Sequence, residues 1–322
     1  MSKPYRNLLH HDARIERGKQ MKNFQGVYPI VVTTFHEDGS LDLESQRRLV
    51  RFLIDAGAHG LGLFGTASEG YTLSDTERVT LTEIITDEVA GRVPVVISTG
   101  HTGTAVAVSL SLNAERAGAD AVMVLPPYFL RPDAEGVFHY YRTISDAISI
   151  PIMVQDAPLM TQVNLSPTIL ARLALELEGV QMVKVESPPT APKISEVNAL
   201  AGESLALFGG LNGQFFLEEL GRGARGTMPG SDMTDMFVRV WDFYQLGKVA
   251  EARAEFNRYL PLIRYELQPG LGVSVMKHNL HAGGIIASPR VRHPTSSIDK
   301  VGLRELEELQ CGLDMLVLQW NQ

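Results

Sequence analysis

Val180-Gln-Met-Val-Lys-Val-Glu-Ser187 reads as a short strand of β-branched and apolar residues that carries two charges near its end. Side chains in a strand alternate between its faces, so Lys184 and Glu186 project from the same side. An amine and a carboxylate at the end of an apolar strand have two readings. One is a salt bridge at the strand terminus. The other is a lysine that forms a Schiff base, with a neighbouring group to move protons.

Outward from this stretch the chain alternates between apolar runs of strand length and amphipathic runs of helix length. That is the pattern of repeated βα units around a parallel sheet. Strands are expected at 27–35, 60–65, 94–98, 121–125, 152–155, 180–185, 205–208 and 225–228. Between them lie expected helices at 43–56, 74–89, 105–117, 134–148, 166–177, 193–200 and 214–221. Ser74 and Glu77 form a capping box for the second helix, and Ser166 with Pro167 opens the fifth. Eight such units in about 200 residues predict an α/β fold, a (β/α)₈ TIM barrel, over 24–232. An open doubly wound sheet is the other α/β candidate. Its glycine fingerprint is matched only by Gly221, Gly223 and Gly226, which follow a helix and precede a strand, the reverse of the required context. Expected helices at 233–245, 249–265, 273–281 and 303–318 exceed what a barrel needs, so 233–322 is read as a C-terminal α-helical extension. Residues 1–23 carry Lys3, Arg6, Arg14, Arg17, Lys19 and Lys22 without an apolar run, and read as a polar N-terminal arm.

Composition narrows the function. The 322 residues are 44% hydrophobic with a net charge of −8, which favours neither nucleic acid nor an anionic membrane. No apolar run reaches the roughly 18 residues of a membrane span. The single cysteine, Cys311, is expected to be a buried thiol in a C-terminal helix rather than half of a disulfide. A cytoplasmic protein working on a small molecule is the expectation.

In a barrel, the active site lies at the C-terminal ends of the strands. That rule selects 65–69 after the second strand, 126–131 after the fourth and 155–158 after the fifth. It also selects Lys184 and Glu186, 209–212 after the seventh strand and 229–232 after the eighth. A lysine among Met182, Val183 and Val185 is costly to charge, and a free amine can attack a ketone. The iminium formed withdraws electrons, so a base such as Glu186 can take a proton from the adjacent carbon. Thr66 and Ser68 are candidates to bind a substrate carboxylate, and Gln155 and Asn212 to bind substrate hydroxyls. Tyr128 lies at the rim as a further substrate contact. Glu69 is read as a structural carboxylate bonded to loop amides, and His101 as a rim residue. His278 and His281 are the only helical histidine pair at metal-ligand spacing, and they fall in the extension, away from the mouth; no metal site is expected.

The sequences GTASE (65–69), PPYF (126–129) and a lysine ending the sixth strand together resemble the dihydrodipicolinate synthase and N-acetylneuraminate lyase superfamily. The resemblance covers roughly 24–297. It implies a Schiff-base enzyme without other cofactor, acting on a 2-keto acid and assembling as a homodimer or homotetramer. The chain departs from the common pattern in three places. Gln155 stands where a proton-shuttling tyrosine is usual, Met160 where the synthase branch has a substrate-binding arginine, and Phe129 where that branch has a tyrosine reaching across a dimer. IPIMVQDAP (150–158), GGIIAS (283–288), Arg292-His-Pro294 and LVLQW (316–320) resemble the L-2-keto-3-deoxyarabonate dehydratase branch. That likeness implies removal of water from a 2-keto-3-deoxypentonate to give 2-oxoglutarate semialdehyde. A retro-aldolase on a related sugar acid, or a silent barrel that only binds keto acids, are the rival expectations. An amide cannot exchange a proton at useful pH, so Glu186 takes over as the expected base.

Overall fold

A computed structural model describes residues 24–202 and 205–320. The arm expected at 1–23 lies outside the described residues. Eight parallel strands alternate with helices: β1 (Gly26–Val27), α1 (Leu43–Asp55), β2 (Leu61–Leu63), α2 (Asp75–Val89), β3 (Val95–Ser98), α3 (Thr104–Arg116), β4 (Ala121–Val124), α4 (Ala134–Ala147) and β5 (Ile152–Asp156). After β5 come α5 (Pro158–Thr161), α6 (Pro167–Glu176), β6 (Val180–Val185), α7 (Thr190–Ala201), β7 (Ala206–Gly209), α8 (Phe216–Leu220) and β8 (Gly226–Thr227). The extension is α9 (Thr234–Gln245), α10 (Val249–Glu266), α11 (Gly272–Ala282) and α12 (Lys300–Gln310).

Hydrogen-bonded neighbours run β1, β8, β7, β6, β5, β4, β3, β2. The ring closes between the first and last of these. Ile30, just past β1, bridges Gly62 in parallel, with Val31 N donating to Gly62 O and Gly62 N to Pro29 O, both at 2.9 Å. The chain is therefore a (β/α)₈ barrel with C-terminal helices.

Strand alternation sorts the core into two parts. Val96, Met123, Met153, Met182, Phe208 and Met228 fill the barrel interior with Tyr28 and Ile30. Their neighbours Ile97, Val122, Val154, Val183 and Val185 face outward and pack under the helices. Asp156, one residue beyond Gln155, faces the helices as well and pairs with Lys193 of α7 at 2.6 Å.

Most expected elements stand within a residue or two of their predicted ends, α7 begins three residues before the expected 193, and the capping box of Ser74 and Glu77 is present. Three differ more. The expected strand 27–35 forms a ladder only at its start, because side chains take over further on. Val32 N donates to Ser231 Oγ at 3.3 Å and Thr34 N to Gln46 Oε1 at 3.0 Å. Helix α5, missed in the sequence, is a single turn opened by Pro158. The helix expected at 303–318 is α12, capped by Asp299 and ending before Gly312, whose φ of +77° a helix cannot continue through. Cys311 sits at that end and is exposed, which corrects the expectation of a buried thiol. Among the described residues no helix is long and apolar enough to cross a membrane.

Candidate active site

Because Met153 and Met182 point into the barrel, the residues two further on, Gln155 and Lys184, point inward at its mouth. The register pairs them directly across β5 and β6. Glu186 follows just past β6, and its N–H donates to Asp156 O at 2.8 Å. All three side chains are buried, with Lys184 at 4% exposure. Lys184 Nζ lies 3.1 Å from Glu186 Oε1, while Gln155 Nε2 donates to Glu186 Oε2 at 2.7 Å. Leu211 N completes the set by donating to Glu186 Oε1 at 3.4 Å. The loop after β7 can close this tightly because residue 210 is glycine. A Cβ there would stand 2.4 Å from Glu186 Cγ.

A cavity of about 300 Å³ opens over β2 to β5. Its lining includes Gly65, Thr66, Tyr128, Gln155 and Met160 together with Tyr71, Asp75, Arg78, Ser98 and His101. Lys184 is not among its lining residues. Gln155 is the link, since it lines the cavity and holds the carboxylate beside the amine. Thr66 is exposed to this space and donates to Met160 Sδ at 3.0 Å, and Tyr128 is 43% exposed.

Two of the expected binding residues are turned elsewhere. The Ser68 hydroxyl donates to Val31 O at 2.5 Å, and its N–H to Gly65 O at 3.1 Å, so neither donor is presented to the cavity. Asn212 has both ends of its amide engaged: Nδ2 donates to Glu266 Oε2 at 2.7 Å and Oδ1 accepts from Gly230 N at 2.8 Å. In both, a loop needs internal partners to hold its shape, and the short polar side chain supplies them.

Glu69 is fully buried and takes a donor from Lys277 on α11, with Arg292 N donating to its Oε1 at 2.7 Å. One of its partners is thus a loop amide, as expected, but the amide and the cation both come from the extension. Burial, opposed by Glu69, moves the Lys277 ammonium down to about 8. His278 and His281 each bond a backbone carbonyl, at 2.8 and 3.2 Å. Among the described residues no group of three His, Cys, Asp or Glu could hold a metal ion.

Sequence reasoning missed Arg78. It lines the cavity, donates to Ser98 O and to Gly70 O, and lies 4.5 Å over the Phe64 ring. Burial lowers its pKa. In the sequence it is one arginine among several in amphipathic helices, with no local signal to separate it.

Glu219, on α8 behind β7, was also missed. Its Oε1 accepts from Thr190 Oγ1 at 2.6 Å, and Oε2 has no hydrogen-bond partner among the described residues. Burial, ahead of the charges on Glu218 and Glu186, pushes this carboxyl from 4.5 up to about 7. A carboxyl that holds its proton more tightly when folded contributes stability at low pH, and that contribution is lost as pH rises from 4.5 to about 7. Glu219→Gln keeps the acceptor for Thr190 and cannot ionise. Urea unfolding is expected to find the variant more stable above pH 7, by at most about 3 kcal/mol, and equal to the parent below pH 4.5. An equal gap at both pH values would contradict this.

The profile of the dihydrodipicolinate synthetase family matches residues 23–310. A protein from Azospirillum brasilense named L-2-keto-3-deoxyarabonate dehydratase is 40% identical over 301 residues, 92% of this chain and 96% of its own length. The crystal structure of dihydrodipicolinate synthase from Rhodopseudomonas palustris superposes with a TM-score of 0.84 at 30% identity, covering 89% of this chain and 96% of the other. A structure described as the first monomeric dihydrodipicolinate synthase variant gives 0.83 at 28% identity, covering 89% and 96%.

Proposed function

The chain belongs to the dihydrodipicolinate synthetase family, and we propose that it is a Schiff-base hydro-lyase removing water from a 2-keto-3-deoxy sugar acid. The proposed substrate is L-2-keto-3-deoxyarabonate and the product 2-oxoglutarate semialdehyde, in keeping with the name of the Azospirillum brasilense relative. One observation carries the dehydratase reading. Gln155, which cannot shuttle protons, holds Glu186 at 2.7 Å, and Glu186 in turn lies 3.1 Å from the Lys184 amine.

The steps follow from that arrangement. The Lys184 amine attacks the C2 ketone and water leaves, giving an iminium. Glu186 takes a proton from C3, and the electron pair moves into the C2–C3 bond as an enamine. The enamine expels the C4 hydroxyl, which leaves as water with the proton returned from Glu186. The unsaturated iminium loses a proton from C5 and gains one at C3, giving the C5 enol; protonation at C4 with loss of the enol O–H proton gives the aldehyde, and hydrolysis by water frees Lys184. The iminium supplies the electron sink, so these steps call on no other cofactor. Thr66, Tyr128 and Gln155 line the cavity where the acid and its hydroxyls would sit.

Mass spectrometry of products from a panel of 2-keto-3-deoxy pentonates and hexonates tests this. Loss of 18 Da to a semialdehyde is the expected result. Pyruvate with a shorter aldehyde would establish the retro-aldolase instead, and an unchanged panel would leave a barrel that only binds keto acids. Phe129 and Leu130, 81% and 86% exposed beside the mouth, support assembly as a homo-oligomer, which sedimentation of the full chain would reveal.

A further inference from the structure

We propose that Glu266, the last residue of α10 in the C-terminal extension, is a positioning residue for Glu186, acting through Asn212 and the loop 209–213. The inference rests on the reading that Glu186 moves protons at an imine on Lys184.

The loop is the starting point. Leu211 and Asn212 are consecutive non-glycine residues in the left-handed region, with φ of +50° and +52°. Such a turn persists only where its surroundings hold it. The hold is the Asn212 side chain, clamped between Gly230 N and Glu266 Oε2. Next to that clamp, Leu211 N points at Glu186 Oε1, and the absent Cβ of Gly210 lets the backbone lie against Glu186 Cγ. A shift of the turn therefore shifts what Glu186 rests on.

Glu266 is itself fixed. It is buried with Asp232, whose Oδ2 accepts from Asn279 Nδ2 at 2.6 Å. The oxygens left over, Glu266 Oε1 and Asp232 Oδ1, are buried with no hydrogen-bond partner among the described residues. Like charges buried side by side disfavour ionising both carboxyls. Burial raises both groups above the usual carboxylate range, and the charge of Asp232 raises Glu266 further. The part of Glu266 that the clamp uses is Oε2, which accepts from Asn212 Nδ2. A glutamine keeps that acceptor and the shape of the side chain.

That isosterism makes the test. The variants are Glu266→Ala, Glu266→Gln and Asn212→Gly, the last keeping a residue that tolerates positive φ while removing the clamp. Two readouts use pyruvate: borohydride trapping on Lys184, which needs only the amine, and deuterium uptake at the methyl carbon in D₂O, which needs the base as well. Glu266→Ala and Asn212→Gly are expected to be trapped like the parent with an unchanged KM for exchange, and to exchange slower by about 10- to 100-fold. Glu266→Gln is expected to exchange within a few-fold of the parent. Asn212→Gly exchanging at the parental rate, or Glu266→Gln exchanging as slowly as Asn212→Gly, would overturn the positioning role. If Glu266→Ala does not fold, those two variants decide. A parent chain that is never trapped overturns the Schiff-base reading and this inference with it; a parent that is trapped while the variants exchange normally overturns this inference alone.

Discussion

Lys184→Met is expected to abolish turnover of a 2-keto-3-deoxypentonate, by the factor of roughly 10⁴ to 10⁶ associated with losing a nucleophile. The size follows from the role. Without the amine there is no iminium, and without the iminium a C3 proton is not acidic enough for a carboxylate to remove. Methionine fits the site, since the side chain lies above Met182 in the barrel and is 4% exposed. Removing one partner of a buried ion pair costs about 3–5 kcal/mol when the other charge is left alone. Here Glu186 keeps the Gln155 amide and the Leu211 N–H, so a smaller loss is expected and the variant should fold. Initial rates and a thermal melt on the same preparation check both halves. Residual turnover above a thousandth of the parental rate would place the electrophile elsewhere.

Glu186→Gln separates binding of the ketone from proton transfer. The amide occupies the same volume against Gly210, and its carbonyl can still accept from Gln155 Nε2. Imine formation is expected to persist, while turnover falls by about 10² to 10⁴, the usual contribution of a positioned general base. Exchange of the C3 hydrogens with solvent should fall by the same factor. An unaffected rate would move the base to another residue. Glu69 is poorly placed for that role, because Lys277 and the Arg292 N–H hold both its oxygens in a buried cluster. Tyr128, in the cavity wall, would then be the group to replace.

These two predictions concern residues that were readable in one dimension. The run 180–185 contains no glycine or proline and is β-branched at 180, 183 and 185, and β6 has those bounds. Period-two alternation then put Lys184 and Glu186 on one face, and the barrel rule put that face at the mouth. Gln155 was visible as a departure from a motif, and the register of β5 on β6 sets it against Lys184. What stayed hidden depends on pairs distant in the chain. Glu69 and Lys277 are 208 positions apart, and Asn212 and Glu266 are 54 apart. No local pattern joins such residues, so Asn212 and Ser68 were read as free polar groups when their partners were already inside the fold. The first strand was overestimated for a related reason: its backbone donors are taken by Gln46 and Ser231, which no reading of 27–35 alone could include.

The central claim is that Lys184 carries the substrate as an imine, and one measurement reaches it directly. The full chain is reduced with borohydride in the presence of a 2-keto-3-deoxypentonate, digested, and sequenced by mass spectrometry. The account predicts one stable secondary amine, on the peptide that contains Val180–Val185, at Lys184. An adduct on Lys193 or Lys277, or an unmodified chain that still turns the substrate over, would contradict it.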